Sequence, residues 1–219
     1  MGIYTMGAPK SLVLSLQKQY AIQTFIETGT YYGGTSTWAS DHFSKVITIE
    51  NSKAIHEKTA AKYKHITNID FLFGHSLEHL KNIVANLKEP ALFWLDAHWS
   101  GGETYGINDE CPLIEELRII NDSKINHIVL IDDARMFVKP PKPPHKPEQW
   151  ATISQIIIEL NKIADRYCFI AADVIGAVPN SAVKNIIPYF EEVAKFEETL
   201  QPPRISFVDR VKRKLKTIC

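Results

Sequence analysis

A chain of 219 residues can bury one substantial core but is short for two ordinary domains. Its 25 basic and 25 acidic residues cancel, which removes the sequence-wide positive field expected of a nucleic-acid binder. With 45% hydrophobic and 23% charged residues it reads as a soluble globular protein, and no apolar run reaches membrane-span length.

The opening MGIYTMGAPK lacks the apolar stretch of a secretion signal, and Met6 stands where a myristoylation site needs Ser or Thr. Cys111, Cys168 and Cys219 have neither metal-site nor redox-pair spacing. They fit a reducing compartment, so a cytoplasmic protein is expected. Five apolar runs then recur at intervals typical of alternating strands and helices: TFIET (24–28), KVITIE (45–50), IDFLFG (69–74), ALFWLD (91–96) and HIVLIDD (127–133). They are continuous rather than alternating, as in strands covered on both faces.

Helices are predicted between them. NSKAIHEKTAAKY opens on Asn51 as a cap, HSLEHLKNIVANL sets Leu77, Leu80, Ile83, Val84 and Leu87 on one face, and ECPLIEELRII has Pro112 near its start. Five prolines in the nine residues 139–147 make a stiff extended segment, read either as a surface linker or as a flap over a substrate. TISQIIIELNKIADR predicts a helix, and YCFIAADVIGAVPN a strand, a turn and a second strand.

The expected fold class is α/β: a doubly wound, Rossmann-like, mostly parallel sheet, helices on both faces, closed by a C-terminal antiparallel hairpin. Residues 1–200 are expected to form this single domain. The tail 201–219 is basic and amphipathic, with Phe207, Val208, Val211, Leu215 and Ile218 opposing Arg210, Lys212, Arg213, Lys214 and Lys216. It packs on the domain, joins a homo-oligomer, or lies weakly on a membrane surface through 205–219.

In an open parallel sheet, ligands sit beyond the carboxyl ends of the strands. The polar residues there are Glu27, Gly29 and Thr30 after the first predicted strand, Glu50 after the second, Gly74, His75 and Ser76 after the third, Asp96 and His98 after the fourth, and Asp132 and Asp133 after the fifth. ETGTYYGG carries Gly29, Gly33 and Gly34 ahead of a helix-like segment, allowing close backbone approach. It departs from the G-x-G-x-x-G dinucleotide fingerprint, and Glu27 beside it suits a cationic amino group better than a pyrophosphate. Glu50, 17 residues past Gly33, can accept both ribose hydroxyls. Taken singly, each feature is also an ordinary turn or helix-entry charge. Three hard oxygen donors at one rim, Asp96, Asp132 and Asp133, suit Mg²⁺, and a network of caps and ion pairs is the alternative.

The arrangement resembles the class I S-adenosylmethionine-dependent methyltransferases over about residues 20–180. ETGTYYGG looks like their glycine loop, Glu50 like their ribose acid, and FGHSLEHL falls at their adenine contact, with His75 replacing the usual acid. FWLDAHWSGG and LIDDARMF are similar to the metal-dependent O-methyltransferases of the catechol and of the macrolide and aminocoumarin sugar types. That resemblance implies S-adenosylmethionine and Mg²⁺ as cofactors, with Asp96, Asp132 and Asp133 on the metal. His98 is implied either as general base or in a structural role, its direction altered by Ala97 between it and Asp96. SGGETYG (100–106) would then be a lid, and Arg135 and Lys139 contact an anionic acceptor or face solvent. The long loops 97–109 and 134–149, with Trp99, Tyr105, His145 and Trp150, suit a saccharide or glycosylated small-molecule acceptor. A nicotinamide-dependent oxidoreductase and a non-catalytic nucleoside-binding protein are the competing readings.

Overall fold

The computed structural model describes residues 7–99, 109–139 and 141–200. The apolar runs become β1 (Thr24–Thr28), β2 (Lys45–Glu50), β3 (Ile69–Phe73), β4 (Ala91–Leu95) and β5 (Ile128–Ile131). They are joined by β6 (Arg166–Ala171) and β7 (Val174–Pro179) in one sheet of order β3-β2-β1-β4-β5-β7-β6. The first five strands run parallel, and β7 pairs antiparallel with both β5 and β6. This is the expected doubly wound sheet with its closing hairpin. Strand order reverses between β1 and β4, which opens a crevice at their carboxyl ends.

Sequence continuity explains which strands lie inside. All five residues of β4 are buried, and Leu92, Phe93 and Trp94 are wholly so. Burying each such side chain contributes about 1.5–3 kcal/mol. β3, at the sheet edge, exposes Phe73. One core lies under α1 (Lys10–Tyr20), α2 (Gly34–Ser40) and α8 (Val183–Leu200), around Leu12, Leu16, Phe25, Phe43 and Ile186. The other lies under α4 (Ser76–Asn86), α5 (Leu113–Asn121) and α7 (Ile153–Leu160), around Leu80, Phe93, Leu117 and Ile156. The helix α3 (Lys53–Tyr63) flanks β2 and β3, and the single turn α6 (Ala134–Val138) follows β5.

Three local expectations change. The helix predicted to run to Arg166 ends at Leu160. Arg166 instead starts β6 and buries its guanidinium, donating to Asn121 Oδ1, Asn126 Oδ1 and the carbonyls of Leu160 and His127. Satisfying those donors draws residue 166 out of the helix. Ser52, not Asn51, caps α3, and its N–H goes to Glu50. Helices α1 and α8 have no counterpart in the sequence reading. The 100–108 segment and the 201–219 tail lie outside the described residues. Among the described residues, no helix is long and apolar enough to cross a membrane.

A buried histidine ties β4 to β5. His127 Nδ1 accepts the Ala91 N–H at 3.1 Å, so Nε2 carries the hydrogen and donates to Ser123 Oγ at 3.0 Å. Burial first, and Arg166 second, pull its pKa down from 6.5 to about 4. The folded protein therefore keeps this ring neutral where the unfolded chain protonates it. Unfolding takes up a proton between pH 6.5 and 4, and stability falls as pH drops through that window. The expected loss is on the order of 2–3 kcal/mol. Urea titrations across this range should show it, and His127→Gln should flatten the dependence. Parallel losses in parent and variant would assign the effect elsewhere.

Candidate active site

The β1–α2 turn is built from the strand outward. Gly29 N–H and Thr30 N–H both donate to Ile49 O, at 2.9 and 3.2 Å, which folds the turn over the end of β2. Gly29 sits at φ +86, and a Cβ there would overlap the carbonyl of Asp96. Gly33, at φ +76, would press a Cβ against Thr59 and Tyr63. Gly34 differs, with nothing within 4 Å of its Cβ position, so its backbone is open to an approaching group. The three glycines thus divide into two that packing requires and one that leaves space.

Glu27 is only 2% exposed. Its Oε2 accepts from Ser36 Oγ and from Thr48 Oγ1, the latter at 2.7 Å, and Thr48 in turn meets Thr30 Oγ1 at 2.6 Å. The Thr30 side chain is thereby absorbed in a hydroxyl chain behind Glu27. Burial raises the Glu27 carboxyl to about 7, against the lowering effect of these hydroxyls. A buried acid held this way gains from a nearby cation. Glu50 is oriented by two backbone donors, Tyr31 N–H on Oε2 and Ser52 N–H on Oε1, both at 2.8 Å. Burial raises it as well.

At the β3 end, Gly74 adopts φ +136 and His75 caps α4, its Nδ1 accepting from Leu77 N–H at 3.3 Å. His75 Nε2 lies 3.4 Å from Asp109. Ser76 Oγ is buried with no hydrogen-bond partner among the described residues, as is Glu116 Oε1 on α5. Burial pushes Glu116 up to about 7, moderated by the nearby Ser76 and Thr28 hydroxyls. Sequence reasoning passed over Glu116, because an acid inside an amphipathic helix looks like solvent-facing charge.

The rim between β4 and β5 holds the charged cluster. His98 Nε2 is hydrogen-bonded to Asp133 Oδ2 and lies 3.6 Å from Asp96 Oδ1. Burial opposes its charge, but the Asp133 hydrogen bond and the Asp96, Asp133 and Asp132 carboxylates outweigh it and raise His98 to about 9. Asp133, at φ 57, turns one carboxylate oxygen to His98 and the other to Arg135 Nη1, and these partners hold it down to about 2 against burial. Asp132 Oδ1 accepts the Asp133 N–H at 2.7 Å, and burial followed by Asp133 raises Asp132 to about 6. Burial likewise holds Asp96 well above the usual carboxylate range.

A fourth acid completes the cluster. Asp173, in the β6–β7 turn, is 6% exposed and pairs with Arg135, and its Oδ1 accepts the Arg135 N–H at 2.9 Å. Oxygens of Asp132, Asp133 and Asp173 lie within 4.8 Å of one another, and this grouping differs from the expected trio by exchanging Asp96 for Asp173. Only the hairpin's return to β5 brings it there, and no spacing in the chain signals it.

The proline-rich segment is anchored to the site by Glu110, which is fully buried. Its carboxylate accepts from Trp150 Nε1 at 2.8 Å and from Lys146 N–H at 3.1 Å, with His145 Nδ1 3.3 Å away. Burial would raise Glu110, and these hydrogen bonds bring it below its ordinary value. Trp150 packs on His98, with ring centroids 5.4 Å apart, and Trp99 on His145, 5.2 Å apart. Trp99 and Trp150 are 7% and 6% exposed, which corrects the expectation that they present faces to an acceptor. They form the wall behind His98. Exposed rings on this edge of the sheet include Tyr31 and Tyr32, at 48% and 39%, and Phe73 at the end of β3.

No protein-family model matches the chain, and no curated protein matches it in sequence. Its structure is similar to that of the O-methyltransferase TomG from Streptomyces achromogenes, involved in tomaymycin synthesis and solved with S-adenosylmethionine. The two are 16% identical, with a TM-score of 0.58 over 80% of this chain and 81% of that one. An O-methyltransferase from Bacillus cereus, in complex with S-adenosylhomocysteine, aligns at 15% identity and TM-score 0.55, over 80% and 82% of the two chains. The Podospora anserina methyltransferase PaMTH1, also bound to S-adenosylhomocysteine, aligns at 15% and 0.53, over 78% and 76%. The chain shares its fold with these methyltransferases.

Proposed function

We propose, from this class I methyltransferase fold, that the chain transfers a methyl group from S-adenosylmethionine to a hydroxyl of a sugar or glycosylated small molecule. Mg²⁺ or a similar divalent cation would assist at the carboxylate rim. The observation that carries the reading is the meeting of two functions at the β1/β4 crevice. Glu27 and Glu50 are tied to the β1–α2 turn through Ser36 and Tyr31, on either side of Gly34, and Asp96, His98, Asp132 and Asp133 follow the adjacent strands β4 and β5. When bound, S-adenosylmethionine supplies an electrophilic methyl group, and a divalent cation lowers the pKa of an oxygen it holds.

This chain's own residues would do the rest. Glu27 would balance the amino group of the methionine moiety, the Gly29–Gly34 backbone would receive its carboxylate side, and Glu50 would accept the ribose hydroxyls. Ser76, buried at the β3 end, would meet the adenine together with Gly74 and His75. The donor set at the rim fits a hard divalent cation: four carboxylates, at 96, 132, 133 and 173, face two cationic side chains, His98 and Arg135. Asp132 and Asp133 would hold it, with Asp173 from the hairpin as the third carboxylate beside them in place of the expected Asp96. His98, once neutral, would take the acceptor's proton, with Asp133 orienting its ring. In-line alignment accounts for most of the acceleration, up to about 7–11 kcal/mol in favourable systems. Cys111 and Cys168 are unpaired thiols, in keeping with a cytoplasmic setting.

Calorimetry tests the cofactor first. S-adenosylhomocysteine should bind and NAD should not; tight binding of NAD alone would overturn the assignment in favour of an oxidoreductase. The buried acid makes a second expectation. Free Glu27 titrates near 7, and a bound ammonium favours its ionised form, so affinity for S-adenosylhomocysteine should rise with pH through 7 and level off above it. Glu27→Gln should bind weakly with a flattened profile. A parent profile that is already flat removes Glu27 from amino-group recognition.

A further inference from the structure

We propose that Arg135 is a built-in counter-ion of the carboxylate rim, and that a divalent cation entering there competes with its guanidinium, so Arg135 sets the cation affinity. This rests on the metal-assisted part of the proposed function.

The geometry is specific. Arg135 Nη1 pairs at once with Asp133 Oδ1 and Asp173 Oδ2, spanning two of the three carboxylates whose oxygens lie within 4.8 Å of one another. The backbone holds the residue in place: Ala134 N–H donates to Asp173 O at 2.8 Å and Arg135 N–H to Asp173 Oδ1 at 2.9 Å. Short α6 thus delivers the guanidinium to the cluster directly after β5. Carboxylates this close repel without an intervening positive charge, and Arg135 supplies one.

A guanidinium and Mg²⁺ compete for these oxygens. The first binds through a planar fork of N–H donors, whereas the second requires near-octahedral oxygen contacts at about 2.0–2.1 Å. Asp133 has one oxygen on His98 and the other on Arg135, so a cation entering there competes with both for its lone pairs. The two partners differ in freedom to leave. The His98 side chain is 6% exposed and packed against Trp150, while the Arg135 side chain is 37% exposed at the rim. Arg135 has water beside its stem, whereas His98 cannot leave without unpacking the wall. The same contact joins the β6–β7 turn to the end of β5, so cation entry would also release Asp173 from Arg135.

The test is calorimetric titration of Mg²⁺ and of Mn²⁺ into the full chain, for the parent, Arg135→Gln and Arg135→Lys, with S-adenosylhomocysteine affinity as the control for an intact crevice. The expected result is cation binding at least ten-fold tighter in Arg135→Gln, with Arg135→Lys, which keeps the charge but loses the fork, in between. Thermal unfolding supplies a second readout should Arg135→Gln be fragile. Added Mn²⁺ should raise its midpoint more than the parent's, because the cation restores the charge balance that the variant lost. Equal or weaker cation binding in Arg135→Gln, where the parent binds, would overturn the counter-ion role and leave the metal reading standing. Absence of cation binding in all three, with S-adenosylhomocysteine still bound, would overturn both.

Discussion

His98→Ala is expected to lower the rate of methyl transfer by about 10²–10⁴ and to leave S-adenosylhomocysteine affinity unchanged. The acceptor hydroxyl must lose a proton, and His98 is the imidazole packed among Asp96, Asp132 and Asp133 at the crevice. Its neutral form is scarce at pH 7, because the Asp133 hydrogen bond and the surrounding carboxylates outweigh burial and raise the ring to about 9. Rate should therefore climb with pH in the parent, with its break below about 9 once a cation sits on the carboxylates, and lose that dependence in the variant. Asp133→Asn provides the sign check. It removes a negative partner that raises His98, so the break in the profile should move toward acid. The rate is read as S-adenosylhomocysteine release with the first acceptor found to be turned over. A parent rate independent of pH between 6 and 9 would sink the role of His98 as base. A uniform rate loss in His98→Ala that leaves the rising profile in place would assign it to structure alone.

Gly29→Ala is expected to cost at least about 3 kcal/mol of stability and to abolish cofactor binding. A residue other than glycine at φ +86 carries strain of about 1–3 kcal/mol, and the added methyl would also overlap the Asp96 carbonyl. Neither side can yield easily. Gly29 N–H is tied to Ile49 O at 2.9 Å, and Asp96 N–H to Thr28 O at 3.0 Å, so the turn and the end of β4 are both pinned to the sheet. Against a total of roughly 5–15 kcal/mol, this loss is severe. Gly34→Ala is the contrast. Open space surrounds its Cβ position, so stability should hold while S-adenosylhomocysteine affinity drops. Denaturant titration and calorimetry on the two variants separate packing from ligand approach. Equal stability losses would show that both glycines serve the fold alone.

The residues at the ends of β1 and β2 and those at the β4–β5 rim differed in how far the chain itself announced them. Glu27, Glu50 and the glycines were readable because a βα turn at the switch point is a local construction, completed within one strand, its turn and the next strand end. The strands were readable for a related reason: a strand buried on both faces must be continuously apolar, as β4 is throughout. The helix α1 escaped notice because its polar residues interrupt the periodic face. The predicted helix ran past Leu160 because the donors of Arg166 find their partners on α5, on the approach to β5, and on the end of α7.

By itself, the order of apolar runs and turn residues determined a parallel α/β sheet with a closing hairpin, and the edge of that sheet where polar groups gather. Those are consequences of periodicity and of the right-handed crossover, which act over a few tens of residues. Only the tertiary structure decided how the rim's charges are balanced. It brought Asp173 from the hairpin beside Asp133, set Arg135 between them, and buried Trp99 and Trp150 as the wall that holds His98. Charge pairing depends on distances of a few ångströms between residues about 40 positions apart, and no spacing in the chain encodes them.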